Sequence, residues 1–213
     1  MIDDARSGDP LHPDAIAAAA IGIIDRDGPD ALSFRALATA LGVSHMTVHR
    51  RVGDLAGLLD MCVDHVAQHI PAPDCDLTWV DYTEQLFTGL YDTMVRHPGL
   101  VALRRGKPWL GPRILERLVE PALQANLAAG MTPQQMIGAY RRMYLFTLGC
   151  AAFVDHADPR AAVTRTRTAL AALDPADYPA LTRHTETILQ AVVDHEVYRG
   201  GLRQLIQAAA PRQ

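Results

Sequence analysis

The sequence predicts an all-α fold. The long segments repeat apolar residues about every 3.6 positions, and none of them alternates apolar and polar residues between hairpin turns. Prolines fall near the ends of the predicted helices, where a helix tolerates them. The 213 residues, 49% hydrophobic and 21% charged, suffice for one large domain or for a small domain joined to a larger one.

The first two predicted helices have recognisable ends. Pro13 and Asp14 start the first helix, and the stretch "RDGPD" (26–30) ends it. Its apolar stripe consists of Ile16, Ala20, Ile23 and Ile24. Ser33 is a suitable N-cap for the second helix, and Gly42 ends that helix. The buried face of the second helix is predicted to be Phe34, Leu37, Ala38 and Leu41.

A short third helix (44–51) and a fourth helix (54–70) follow. The stretch "PAPDCD" (71–76) then interrupts the chain, because two prolines in three residues are incompatible with a continuing helix. We therefore place a domain boundary at this stretch.

Five further helices are predicted beyond the boundary. They cover residues 77–97, 111–130, 133–155, 159–173 and 179–210. We expect the last helix to bend at Gly200 and Gly201. The last two of these helices are the predicted dimer surface, because small and apolar residues at helical spacing favour packing against a second copy of the chain. These residues are Thr182, Thr185, Leu189, Val192, Val193 and Glu196.

The second and third helices have the features of a helix-turn-helix. Two helices that meet at a tight turn need a small residue at their close approach, and Ala38 is placed for this. The turn needs a glycine able to adopt positive φ, which Gly42 supplies. Val43 and Val48 are placed to pack back onto the second helix. The stretch "FRALATALGVSHMTVHR" (34–50) therefore predicts a DNA-binding motif.

The charge distribution supports this prediction. The net charge of −4 argues against a nucleic-acid-binding chain as a whole, but residues 33–51 contain three arginines, two histidines and no acid. Such side chains can read base edges or contact phosphates. The predicted DNA-binding residues are Ser33, Arg35, Ser44, His45, Thr47, His49, Arg50 and Arg51. A solvated helical hairpin with an ordinary basic face is the alternative.

The stretch "ALSFRALATALGVSHMTVHRRVGDLAGLLD" (31–60) resembles the DNA-binding signature of the TetR family of transcriptional regulators. The resemblance covers the whole chain and implies a homodimer on a palindromic DNA operator, released by a small-molecule effector. It also implies three regions: a helix-turn-helix DNA-binding domain (1–53), a linking helix and linker (54–75), and a ligand-binding and dimerisation domain (76–213). Two residues depart from the family, His49 in place of a tyrosine and Leu55 in place of a lysine.

Residues 79–112 and 139–156 are similar to the C-terminal domain of the tetracycline repressor class. The similarity rests on Trp79, Asp81, His97, Gly106 and the stretch "FTLGC" (146–150). The positions that would match that class's metal ligands hold Arg104, Lys107 and Phe153. Because magnesium prefers oxygen ligands, the resemblance argues against a magnesium–tetracycline complex as the effector.

A mainly apolar pocket between the helices of the C-terminal domain is predicted instead. Its candidate residues are Leu86, Leu90, Met94, Arg104, Trp109, Tyr140, Met143, Tyr144 and Cys150. Arg104 is suited to binding an anionic or carbonyl group. The alternative is that the apolar residues are core and Arg104 is solvated, because cores and pockets share the same composition.

Other function classes have weaker support. No GxSxG, HExxH or phosphate-binding glycine loop is present, so we expect no enzyme, no catalytic residues and no cofactor. Cys62, His65 and His69 share one face of the fourth helix, which leaves a metal or redox sensor open, although we assign no metal site. A regulator with a filled body and no inducer is a further alternative.

The expected compartment is the cytoplasm. The N-terminal stretch "MIDDARSGDPLHPD" lacks the basic region of a signal peptide, and no apolar stretch reaches membrane-spanning length, so we expect no membrane partner. The three cysteines have no metal-like spacing and are expected to be reduced thiols.

Overall fold

Every regular element of the structure is a helix. The computed structural model describes residues 9–104, 106–153, 156 and 158–211, and these form no strand, which confirms the all-α prediction. Within these ranges no helix has both the length and the apolarity required to cross a bilayer. The predicted helix end at residues 154–155 lies outside the described residues.

Three helices form the N-terminal head: α1 (Pro13–Asp27), α2 (Phe34–Leu41) and α3 (His45–Val52), with a 3₁₀ turn at Pro29–Ala31. The Ser33 hydroxyl accepts a hydrogen bond from the Ala36 amide at 3.1 Å, and Gly42 has the left-handed φ of 67° that ends α2. Both predicted ends of α2 are therefore confirmed. Leu37 and Ala38 are buried as expected, whereas Phe34 and Leu41 are half-buried.

Helix α4 (Leu55–Ala67) joins the head to the rest of the chain. The Asp54 carboxylate caps it by accepting from the Gly57 amide at 2.8 Å. Its buried face packs against α1, and the Cys62 thiol donates to the Ala17 carbonyl at 3.9 Å. The helix thus belongs to the core of the head while it leads into the body.

The body contains the remaining helices. Their bounds are α5 (Trp79–Val95), α6 (Pro98–Leu103), α7 (Pro112–Ile114), α8 (Glu120–Ala128), α9 (Pro133–Phe153), α10 (Pro159–Ala171), α11 (Pro179–Arg183), α12 (Thr185–Ala191) and α13 (His195–Ala209). A π-helical segment, Leu115–Val119, joins α7 to α8, so the predicted helix at 111–130 is observed as one continuous path. Helix α6 was not predicted from the sequence, because six residues are too few to display a recognisable helical repeat of apolar positions.

The prediction of one bent helix over 179–210 is wrong. The chain breaks at residues 192–194, where the Asp194 carboxylate caps a new helix by accepting from the Glu196 amide at 2.8 Å. Helix α13 runs through Gly200 and Gly201 without a break. A Cβ atom on Gly201 would lie 2.5 Å from Cζ of Phe146, so this glycine permits close packing of α13 on α9.

Helices α5, α9 and α13 form the core of the body. Tyr198 stacks on Tyr91 with ring centroids 3.8 Å apart, and its hydroxyl donates to the Phe87 carbonyl at 2.9 Å. Burial raises the pKa of Tyr198 above its ordinary range, so the hydroxyl stays protonated and remains a donor. The Tyr198 hydroxyl also lies 3.0 Å from the Thr147 hydroxyl of α9, so the contacts of this one side chain join all three helices.

Candidate DNA-binding surface and effector pocket

Helix α3 turns a polar face outward from the head. Val48 is fully buried and fixes α3 against the core of the head. The Ser44 hydroxyl caps the helix by accepting from the Thr47 amide at 3.1 Å, and it lies 2.7 Å from the Thr47 hydroxyl. His45, His49 and Arg50 are exposed. The predicted recognition residues on α3 therefore share one accessible surface.

The two imidazoles of this surface lie around Phe34 of α2. Ring centroids are 5.5 Å apart for Phe34 and His49, 6.2 Å for Phe34 and His45, and 6.3 Å for the two histidines. Phe34 is only half-buried because one side of its ring packs against these two exposed histidines. His49 thus has a defined orientation where the family commonly has a tyrosine.

The three arginines near α3 differ in what they contact. Arg35 and Arg50 are exposed, and within the described part of the chain neither has a carboxylate partner. Arg51 instead donates from Nε to the Leu11 carbonyl at 3.2 Å, which directs its side chain toward the segment before α1. Arg35 and Arg50 are therefore more available for DNA than Arg51.

Met46 was not predicted from the sequence and is the most exposed large apolar residue among the described residues of the head. Its side chain is 72% exposed. Met46 lies two residues before the buried Val48, and at about 100° per residue this places it on the opposite side of α3. The helical repeat therefore predicts that Met46 faces solvent. Met46 was not among the predicted DNA-binding residues because those were all polar or basic.

An ionic cluster joins the head to the body. The Arg113 guanidinium at the start of α7 contacts both carboxylate oxygens of Asp14 in α1, with Nη1 at 2.6 Å from Oδ1 and Nη2 at 2.8 Å from Oδ2. The Arg113 amide donates to the Asp64 carboxylate of α4 at 2.7 Å, and His65 Nδ1 lies 3.0 Å from Asp14. Hydrogen bonds from Arg113, and then from His65, hold the pKa of Asp14 well below its usual range.

We call these four residues the junction cluster (Asp14, Asp64, His65 and Arg113), and no sequence pattern predicts it. Asp14 and Arg113 are 99 positions apart, and no local pattern pairs them. A 240 Å³ cavity, lined by junction-cluster carboxylates together with Met61 and Leu110, lies beside the cluster between α1, α4 and α7. The junction cluster is therefore one of the contacts that join head and body, beside the packing of α6 on α1.

Arg104 is buried, so the alternative that it is solvated is wrong. The side chain is 6% exposed, its Nη1 atom lies 2.7 Å from the Asp60 carboxylate of α4, and its Nη2 atom donates to the Pro108 carbonyl at 2.8 Å. Its Nε atom has no acceptor among the described residues. A buried donor without an acceptor is costly, so this atom is a candidate for binding an oxygen of a ligand.

The nine predicted pocket residues lie in the interior of the body. All except Cys150, which is half-buried, are buried. Tyr144 accepts from the Trp109 amide and donates to the Trp109 carbonyl, both at 2.8 Å, which fixes two of the nine together. The junction cavity and a 540 Å³ groove along α5 and α13 are lined by other residues. The pocket assignment therefore stays a prediction.

The face of Cys62, His65 and His69 does not form a gathered metal site. Cys62 is fully buried against α1, and burial raises its pKa to about 12, which disfavours the thiolate that a metal requires. His65 is held by Asp14 of the junction cluster. Cys62 and His65 thus make different contacts, and this face of α4 does not support the metal alternative.

A helix-turn-helix head joined by a linking helix to a helical body is the architecture of a DNA-binding regulator. Residues 71–208 match the family described as "Tetracyclin repressor-like, C-terminal domain". An HTH-type transcriptional regulator of Saccharopolyspora erythraea is 30% identical over 178 residues, which cover 80% of this chain and 73% of the relative. The chain belongs to the TetR family of transcriptional regulators, whose members are regulators rather than enzymes.

Two further proteins are similar to this chain, one in sequence and one in fold. The HTH-type transcriptional repressor DrrR1 of Streptomyces coeruleorubidus is 29% identical over 143 residues, which cover 66% of this chain but only about half, 53%, of DrrR1. The solved structure of ActR from Streptomyces coelicolor is 23% identical, covers 94% of this chain and 95% of its own, and superposes with a TM-score of 0.77. The likeness to ActR shows that the fold extends over nearly the whole chain.

Proposed function

We propose that this chain represses transcription as a homodimer bound to a palindromic DNA operator, and that a small molecule bound in the body releases it from DNA. The observation that carries the proposal is the outward face of α3. This face presents hydrogen-bonding side chains and Arg50, with no acid between residues 33 and 51. A solved neighbour, BioQ, which is 23% identical, is described with its double-stranded DNA operator.

The DNA-binding proposal is tested by selecting duplexes from a random pool with the purified protein. We expect enrichment of a palindrome, because two-fold symmetric heads read two equivalent half-sites. Fluorescence anisotropy of the selected duplex across a salt series then measures the affinity, which is expected to fall steeply as salt rises. Weak binding without enrichment would contradict the proposal.

An exposed ridge on α9 supports the homodimer. Ile137, Leu145 and Phe153 are 45%, 54% and 84% exposed, and they belong to one i, i+4 row of the helix together with Arg141 and Gly149. Rows of this kind pack into the grooves of a partner helix. Helix α13 packs beside α9 and adds the exposed Val197.

This ridge differs from the predicted dimer stripe, of which Glu196 lies on α13 and Leu189 is buried. In that stripe Leu189 is only 3% exposed within a single chain, because α12 packs on α10. A side chain that is already buried contributes no further apolar area to an interface. We therefore assign the dimer contact to α9 and α13.

The assignment is tested by Leu145→Glu, with the mass in solution measured by light scattering after size-exclusion chromatography. A charge in the centre of the ridge is expected to produce a folded monomer with little operator binding. Leu127→Glu on α8 is the matched control, since Leu127 is exposed to a similar degree but lies outside the ridge, and it is expected to remain dimeric. A dimeric Leu145→Glu protein would refute this interface.

For the effector we propose a mainly apolar molecule with an anionic or carbonyl oxygen that accepts from Arg104 Nε. The buried aromatic and methionine side chains predicted for the pocket, and the free donor on Arg104, support this class. ActR is described in complex with actinorhodin and with (S)-DNPA. Because Arg104 also contacts Asp60, a molecule bound to Arg104 would affect α4, which packs against the head.

A thermal-shift survey of a metabolite library tests this proposal. A ligand present at 100 times its dissociation constant stabilises a protein by about 2.7 kcal/mol, which is readily detected. We expect Arg104→Gln to lose the shift caused by acidic or carbonyl compounds. A library with no stabilising compound would favour the alternative of a regulator without an inducer.

A further inference from the structure

We infer that Met46 contacts the 5-methyl group of a thymine in the operator and so makes this chain select thymine at one position of each half-site. The inference rests on the proposed DNA binding and names a residue that reads one base. It starts from the exposure of Met46, 72%, on a face whose other outward side chains are polar.

The position of Met46 favours contact with a base. It is the second residue of α3, and the N-terminal residues of a recognition helix are those that approach base edges. Arg50 lies four residues later and therefore on the same side of the helix, where it extends toward the DNA from the next turn. Every other large apolar side chain in the described residues of the head (9–53) is buried or half-buried.

The chemistry of the major groove identifies the target. Each base pair presents hydrogen-bond donors and acceptors there, and the thymine 5-methyl is the apolar group of the pattern. The Met46 thioether has neither charge nor a strong donor, so it gains nothing from the polar groups. Methionine is flexible and polarisable, which suits it to packing against a single methyl group.

The experiment uses the full-length protein and the selected operator. Each thymine is replaced by deoxyuridine, symmetrically in the two half-sites, which removes the methyl group and leaves base pairing unchanged. At one position we expect affinity to fall about fourfold per half-site, the amount that corresponds to one buried methyl group. Fluorescence anisotropy measures both duplexes under identical salt conditions.

Variants of Met46 then assign the effect to this side chain. Met46→Ala and Met46→Gln are expected to bind the thymine and deoxyuridine duplexes equally at that position, whereas Met46→Leu retains the preference. Val80→Ala, which shortens an exposed apolar side chain of the body, is the matched control and is expected to behave as the parent protein. Circular dichroism confirms that each variant is folded.

The outcomes separate this inference from the proposed function. If the parent protein enriches no duplex, the proposed DNA binding fails and the Met46 contact fails with it. If the parent protein binds a palindrome but Met46→Ala still prefers thymine over deoxyuridine at every position where the parent does, the proposed function stands and the Met46 contact is overturned. A full preference for thymine in Met46→Gln would overturn it as well.

Discussion

Arginines on the recognition helix and arginines at the junction of head and body have opposite surroundings. Arg50 is exposed and has no carboxylate partner in the described residues, whereas Arg113 contacts Asp14 and Asp64, and Arg104 contacts Asp60. The residue type is the same in both regions. The difference shows that neighbouring carboxylates decide whether an arginine is free to bind DNA or holds the protein together.

The same comparison explains how a chain with a net charge of −4 can present a DNA-binding surface. Acidic residues are absent from 33–51, and several of those elsewhere contact basic side chains, as in the junction cluster. Local charge, not net charge, governs contact with phosphates at short range, because salt screens distant charges beyond about 10 Å.

Arg50→Ala should have the largest effect, a loss of operator affinity. An unchanged affinity would contradict the view that Arg50 is free to bind DNA. Loss of an arginine that reads a base costs about 1–3 kcal/mol, and the two heads of a dimer roughly double this loss in operator affinity. Arg167→Ala on α10, whose guanidinium is 2.6 Å from Glu186, removes the same charge and should leave affinity nearly unchanged. Anisotropy titrations compare the two, and equal losses would show that only net charge matters.

Asp14→Asn should have the next largest effect, on stability. The change removes a charged partner of Arg113 and should lower the free energy of unfolding by about 1–2 kcal/mol at pH 7, after allowance for solvent screening at a partly exposed site. Because Arg113 holds the pKa of Asp14 low, the stabilisation is present above the unfolded pKa of about 3.9 and is lost as pH falls toward the folded pKa.

Urea unfolding of both proteins at pH 7, 5 and 3 measures this dependence. The difference between the parent and Asp14→Asn should be smaller at pH 3 than at pH 5. A difference that grows from pH 5 to pH 3 would contradict the assigned role of Asp14. Glu196→Gln, which alters an exposed ion pair with Arg199, is the control and should change stability little.

Asp60→Asn should lower stability by about 1 kcal/mol, because the Asp60 side chain is more than half exposed while its partner Arg104 is buried. The neutral amide can still accept from Arg104, so part of the contact survives. We expect a larger loss from Asp60→Ala, which leaves the guanidinium without this acceptor. Chemical denaturation compares the two variants, and equal losses would indicate that only the charge of Asp60 stabilises Arg104, because the neutral acceptor of asparagine would then contribute nothing.

Arg51→Ala should have the smallest effect. Its Nε donates to the Leu11 carbonyl, so the variant loses one exposed hydrogen bond, about 0.5–1 kcal/mol of stability. Operator affinity should fall much less than in Arg50→Ala. An equal loss of affinity in the two variants would show that Arg51 leaves Leu11 to contact DNA.

The head was the most predictable part of the molecule. The Ser33 cap, the Gly42 turn and the buried Leu37 and Val48 are all determined by residues within a few positions of one another. The last helices were less predictable, because the break at residues 192–194 depends on the Asp194 cap, and the role of Gly201 depends on Phe146 of another helix. That the predicted DNA-binding residues contact DNA, and that the predicted pocket residues contact an effector, stay predictions.

The sequence by itself determined the all-α class, the recognition helix and the family resemblance, because helical repeats, caps and turn glycines act over short stretches of chain. The tertiary structure decided which arginines contact carboxylates, how strongly Met46 is exposed and which apolar side chains of α9 remain exposed. Charges and packed surfaces interact through space, so residues such as Asp14 and Arg113, 99 positions apart, meet only when the chain folds.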